Sequence, residues 1–113
     1  MSISYQGIGQ VCATFLTMNA VEGQVVKMIS KKTVAKCADG NDFIGVVIHR
    51  RGNDCTVQVA GFVEVPYSGT VPAVGWANLC ADGSGGVKLA STGGRTYLVV
   101  NQNTAGSTVT IKL

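Results

Sequence analysis

The sequence predicts an all-β fold, a compact β-sandwich or barrel. Several short segments alternate β-branched and polar residues with a period of two, which is typical of half-buried strands. No segment has a clear helical period. Turn residues recur about every ten positions, a spacing typical of small sandwiches and barrels. They are Gly23, Gly40, Gly52, Gly69, Gly83, Gly93 and Gly106.

The strands can be assigned in chain order. A weak extended segment runs from Ile8 to Leu16, and "GQVVKMIS" and "DFIGVVIHR" give the next two strands. "TVQVAGFVEV" alternates most clearly, although Gly61 interrupts it, which predicts a bulge or a bend at that residue. "VKLA" gives a short strand. "YLVVNQ" and "TVTIKL" flank the loop "NTAGS" and predict a C-terminal hairpin.

The length of 113 residues favours one domain, because two hydrophobic cores would leave too few residues to bury either well. Residues 1–21 are uncharged and are assigned to an N-terminal arm. Residues 22–113 are assigned to a single β domain. A chain of this size can fold without a disulfide or a metal.

Charged residues are scarce, at 13% of the chain against about 25% in an ordinary soluble domain. Three segments carry no charge: Met1–Val21, Val65–Ala81 and Thr96–Ile111. Surfaces of this composition suit contact with other protein chains. The alternative is that Ser, Thr, Asn and Gln side chains solvate these segments.

The charge pattern argues against several classes of partner. The net charge of +3 is small for a nucleic-acid binder, and the six cations between Lys27 and Arg51 lack interleaved aromatic residues for base stacking. The first twenty residues lack the cationic start of a signal peptide, and no apolar run reaches 18 residues. We therefore expect a protein made in the cytoplasm, with four reduced, buried cysteines.

The tetrapeptide "CADG" occurs twice, at Cys37–Gly40 and at Cys80–Gly83. In both copies it follows an apolar or β-branched stretch and precedes another extended run. Asp can bond back to nearby backbone N–H groups, and Gly supplies a positive φ, so both copies are predicted to be turns. A zinc site would need ligands two to four residues apart, which the cysteine spacing does not provide.

No catalytic constellation is apparent. The single histidine, His49, lies on a predicted strand beside two arginines, and most carboxylates lie in turns, with Glu64 expected on the solvent face of a strand. The glycine-rich stretches "DGSGGVK" and "STGGRTY" lead into strands, whereas phosphate-binding loops lead into helices. One functional class that fits the absence of a catalytic site is a biotinyl- or lipoyl-like carrier, or a small-ligand β-barrel. Lys88 is the candidate carrier lysine.

The succession "GQVVKMISKKTVAKCADGNDFIGVV", "GNDCTVQVAGFVEVPYSG", "VGWANLCADGSGGVKL" and "YLVVNQNTAGSTVTIKL" resembles a family of phage capsid decoration, or cement, proteins. The resemblance covers residues 23–113 and lies in the order of glycine-punctuated strands. It implies a β-sandwich or tulip-like barrel with an extended N-terminal arm. Some members have been labelled recombinase-associated, but this sequence contains no nucleotide-binding loop.

The resemblance implies a non-enzymatic virion protein of a phage or prophage. Such a protein binds the major capsid protein on the outside of the shell, commonly as a homotrimer. We accordingly expect no catalytic residue, cofactor, metal, nucleic acid, membrane or small-molecule substrate. Candidate interface anchors are the large residues Tyr5, Phe15, Phe62 and Tyr67. Trp76 is a further candidate, which we expect instead in the core.

Overall fold

The computed structural model describes residues 8–113, which form ten β-strands and no helix. The predicted all-β fold is confirmed. Within this part of the chain, no helix has the length and apolar character needed to cross a membrane. The strands are β1 (Val11–Thr17), β2 (Val25–Ser30), β3 (Thr33–Lys36), β4 (Gly45–Arg51), β5 (Asp54–Ala60), β6 (Phe62–Pro66), β7 (Gly75–Ala81), β8 (Val87–Leu89), β9 (Arg95–Asn103) and β10 (Thr108–Lys112).

The first five strands close into a barrel in the order β1-β3-β2-β4-β5. β1 is parallel to β3 and antiparallel to β5, and the other pairs are antiparallel. Inward-facing side chains fill the barrel, because alternate residues of every strand point to its axis. The buried cluster inside it comprises Ala20, Val26, Val34, Val47, Cys55 and Val57.

The last five strands form a second, antiparallel sheet in the order β6-β10-β9-β7-β8. Its short edge strand β8 is partly covered, because Tyr67 forms a parallel bridge with Val87 and the Ser68 amide donates to the Val87 carbonyl at 2.9 Å. The segment that follows β6, at one edge of this sheet, therefore contacts β8 at the opposite edge. Such coverage protects an edge strand from pairing with other chains.

Gly61 carries the chain from the barrel into the second sheet. It has a φ of 93°, and a Cβ at this position would lie 2.6 Å from the Gly9 carbonyl oxygen. Only glycine tolerates both conditions. The Phe62 amide donates to the Ile8 carbonyl and the Leu113 amide donates to the Gly61 carbonyl, at 3.0 and 2.9 Å. The bend predicted at Gly61 is confirmed.

The main core lies between the barrel and the second sheet. The alternating strand residues Val63, Val65, Val109 and Ile111 are buried there, as their period of two predicts. Phe43 and Tyr97 stack in the same core with ring centroids 4.9 Å apart. The Tyr97 hydroxyl donates to the Phe43 carbonyl at 3.1 Å, which satisfies a buried polar group.

Three elements differ from the sequence-based assignment. Residues 11–17, assigned to the arm, form β1, a strand of the barrel paired with β5 from Val11 to Leu16. The weak extended segment predicted from Ile8 to Leu16 corresponds to this strand. β7 (Gly75–Ala81) was not predicted as a strand, and neither was β3. β3 has four residues and follows the tight lysine turn in which Lys32 has a φ of 57°.

Candidate protein-contact surface

Two of the three uncharged segments lie side by side in the second sheet. β7 belongs to the segment Val65–Ala81, and most of β9 and β10 belongs to Thr96–Ile111. These strands are neighbours in the order β10-β9-β7. The fold therefore brings residues distant in sequence together into one surface of low charge density.

Residue parity decides which side chains of β7 reach this surface. Leu79 is buried in the core and Ala77 packs against that core, so the alternate residues Trp76 and Asn78 point outward. Trp76 is 72% exposed. Our expectation that Trp76 belongs to the core is therefore wrong, because the small residues of β7 occupy the inner face and leave the indole in solvent.

A transverse row of four side chains crosses the outer face of the sheet. Phe62 is opposite Lys112, Lys112 is opposite Leu98, and Leu98 is opposite Trp76. We call these four residues the Trp76 row. Neighbouring strands lie about 4.8 Å apart, so the row spans roughly 14 Å. Phe62 and Leu98 are partly exposed, and the aliphatic stem of Lys112 can extend the apolar surface between them.

Hydrogen-bonding side chains flank the Trp76 row. The Thr96 hydroxyl donates to the Asn78 side-chain oxygen at 2.7 Å across β9 and β7. The Thr108 hydroxyl donates to Glu64 Oε2 at 2.8 Å across β10 and β6. Glu64 is exposed, which confirms the prediction that it lies on the solvent face. These cross-strand pairs hold the surface polar groups in fixed positions.

The predicted interface anchors do not form one surface. Phe15 is partly buried and packs against the barrel cluster, and Tyr67 packs against the main core. Phe62 belongs to the Trp76 row. Tyr5 lies outside the described residues. Sequence reasoning missed Leu98 as a candidate contact residue, although its alternation with the buried Tyr97 and Val99 indicates an outward position.

The two CADG segments are turns, as predicted, and they pair with each other. Gly40 and Gly83 have φ values of 85° and 82°. The Gly40 amide donates to the Ala81 carbonyl, and the Ala81 amide donates to the Asn41 carbonyl, both at 2.9 Å. Asp82 accepts backbone hydrogen bonds within its own turn, from the amides of Ser84 and Gly86.

The first CADG turn uses its aspartate differently. Asn41 Oδ1 accepts from the Ala38 amide at 2.9 Å and takes the backbone-bonding role that the sequence assigns to Asp39. Asp39 instead forms an ion pair with Lys88 on β8, at 2.5 Å. The hydrogen bond that Lys88 donates to this carboxylate raises the pKa of Lys88. A strand lysine held as a charged ammonium differs from the hairpin-tip lysine of a carrier domain.

The cysteines of these turns are buried free thiols. Burial raises the pKa of Cys37 to about 11, and desolvation also raises the pKa of Cys80. A reactive or metal-binding cysteine needs a lowered pKa, because the thiolate is the active form. Among residues 8–113, no group of three or more His, Cys, Asp or Glu side chains could hold a metal ion.

His49 lies on the outside of the barrel, where its exposed Nδ1 is 3.2 Å from Glu22 Oε2. With Thr14, Arg51 and Thr56 it lines a shallow hollow of about 160 Å³. Cys55 also borders the hollow, but desolvation raises the pKa of its thiol. This is opposite to the depressed pKa that histidine-activated cysteine nucleophiles have.

Comparison with protein-family models and with curated proteins finds no match to this chain.

Proposed function

We propose that this chain is a non-enzymatic decoration protein of a phage or prophage head, which binds the outside of the capsid shell. The proposal combines the resemblance in strand order with the low-charge surface around the Trp76 row. Exposed tryptophan and depleted charge are typical of protein interfaces. The single observation that carries the proposal is the exposure of Trp76 on the uncharged strand β7.

Binding by this surface would stabilise the shell by mass action. A protein that binds the expanded lattice better than the unexpanded lattice shifts the equilibrium towards the expanded form. Many copies at symmetric positions would add modest individual contributions. The partner is the major capsid protein, and association as a homotrimer would bury further uncharged surface. This role requires no catalytic residue.

Co-sedimentation with heads tests the proposal. Purified protein is mixed with expanded heads and with unexpanded precursor shells of the phage whose genome encodes the chain, and bound protein is quantified after centrifugation. We expect saturable binding to expanded heads and weaker binding to precursor shells. Light scattering should give a trimer, or a monomer that becomes trimeric on the shell. A protein that stays monomeric and does not bind expanded heads would contradict the proposal.

A further inference from the structure

A second feature lies away from the Trp76 row, where the barrel meets the second sheet. Here a partly open cavity of about 270 Å³ is lined by Phe43, Ile44, Val59, Arg95, Tyr97 and Leu113. Ile44 and Val59 come from the barrel side, and Arg95 and Tyr97 come from β9 of the second sheet. We call this space the seam cavity. Ligand sites commonly occur where two packed units meet.

Apart from Arg95, the side chains on the wall of the seam cavity are aliphatic or aromatic, and two of them are fixed in position. The Phe43 and Tyr97 rings are nearly parallel, at 8°, and the Tyr97 hydroxyl is held by the Phe43 carbonyl. Ile44, Val59 and Leu113 are partly buried hydrophobic residues that pack against the two cores. A preformed wall of this kind lowers the entropy cost of binding an apolar group.

Arg95 is the one residue on the cavity wall with a charged side chain. Within residues 8–113 its guanidinium forms no ion pair or side-chain hydrogen bond, and its positive charge lowers the pKa of Tyr97 against the larger effect of burial. Residues 1–7 contain no Asp or Glu that could pair with it. The planar guanidinium fork matches a carboxylate and can donate two parallel hydrogen bonds to it.

We propose that the seam cavity binds a small monocarboxylate with a compact apolar body, the carboxylate on Arg95 and the body against Phe43, Val59 and Tyr97. The size agrees with this class, because an apolar protein cavity of about 150 Å³ holds benzene. The somewhat larger volume here accommodates a ring with a short acid arm. This inference is independent of capsid binding.

The test uses phenylacetate and its neutral amide, phenylacetamide, as probes of the whole chain. Two-dimensional ¹H–¹⁵N NMR titration at neutral pH reports both affinity and location. We expect shifts centred on Ile44, Tyr97 and Leu113, and about tenfold or more tighter binding of the acid than of the amide, because the charge-assisted hydrogen bonds are lost with the amide. Equal affinities, or shifts that avoid these residues, would overturn the proposal.

Three variants test the contribution of the Arg95 charge separately from that of the apolar wall. Arg95→Gln should remove the preference for the acid, and Val59→Phe should weaken both probes by filling the cavity. Arg51→Gln is the matched control, because Arg51 is an exposed arginine on the barrel, outside the seam cavity. It should leave both affinities unchanged. Retained acid preference in Arg95→Gln, or its loss in Arg51→Gln, would contradict the assignment of the carboxylate to Arg95.

Discussion

Gly83 in the second CADG turn lies against Asp39 in the first. A Cβ placed on Gly83 would lie 3.1 Å from the Asp39 Cβ and 3.2 Å from the Asp39 backbone nitrogen. Gly40, the equivalent residue of the first turn, has a similar φ but no heavy atom within 4 Å of its Cβ position. The repeated tetrapeptide therefore joins the barrel to the second sheet, and only one of its glycines is packed against the other turn.

Alanine substitutions at these two glycines should differ in their effect on stability. Gly40→Ala should lower the free energy of unfolding by about 1 kcal/mol, because its φ of 85° is unfavourable for a residue with a Cβ. Gly83→Ala should cost about 1 kcal/mol more, because the new methyl group also crowds the Asp39 backbone. Urea unfolding of both variants measures the difference. Equal costs would show that the turns are not tightly packed.

The four cysteines should differ sharply in reactivity. Cys12 is exposed on β1, whereas Cys37, Cys55 and Cys80 are buried. Burial raises the pKa values of all three buried thiols and so reduces the thiolate available for alkylation. A brief iodoacetamide pulse followed by peptide mass spectrometry should label Cys12 alone in the native protein and all four in urea. Fast labelling of Cys37 or Cys80, or a disulfide between them, would contradict the structural role of the turns.

Tyr97 should make the fold sensitive to alkaline pH. Burial raises the pKa of Tyr97 from its ordinary value of 10 to about 12, so the folded state retains the phenolic proton after the unfolded state has lost it. The stabilisation from the neutral hydroxyl is complete below pH 10 and is lost as pH rises towards about 12. Cys37 adds a similar loss between pH 9 and about 11.

The variant Tyr97→Phe isolates this contribution. At neutral pH it should be less stable by about 1 kcal/mol, because the hydrogen bond to the Phe43 carbonyl is lost. Between pH 10 and 12 its urea midpoint should fall less steeply than that of the wild type. Parallel curves for the two proteins would show that Tyr97 titrates normally.

Trp76 provides an optical test of the outer face, because it is the single tryptophan of the chain. With 72% of its surface exposed, the indole should be quenched by acrylamide almost as efficiently in the native protein as in urea. Free tryptophan in urea gives the upper limit of quenching. Strong protection of the fluorescence in the monomer would place the indole in the core and contradict the exposure of the Trp76 side chain.

Much of the fold could be predicted from local pattern. The hairpin of β9 and β10 and the bend at Gly61 follow from alternation and turn residues. The sequence could not show that the bend transfers the chain between two sheets. Val57 and Val63 have the same parity, yet Val57 lies in the barrel cluster and Val63 in the main core. Alternation along a strand shows which side chains face inward. It does not show which sheet packs against them.

The contact surface was only partly predictable. The uncharged segments were visible, but their pairing in β7 and β9 depends on non-local strand order. Hydrophobicity alone favoured a buried Trp76. The alternation of Ala77 and Leu79 with Trp76 and Asn78 contained the information needed to place the indole outside. The seam cavity could not be predicted, since Phe43 and Tyr97 are 54 residues apart and meet only in the folded chain.

The most direct test of the proposed function compares two exposed apolar residues in head binding. Trp76→Ala removes the indole at the β7 end of the Trp76 row, and Met18→Ala removes a side chain that is 79% exposed but lies outside the row, after β1. Both variants should remain folded, because both side chains are largely in solvent. Co-sedimentation with expanded heads should show about tenfold or greater loss of affinity for Trp76→Ala, as for an interface hot spot, and no change for Met18→Ala. Wild-type affinity in Trp76→Ala would contradict the assignment of this sheet face as the surface that binds the shell.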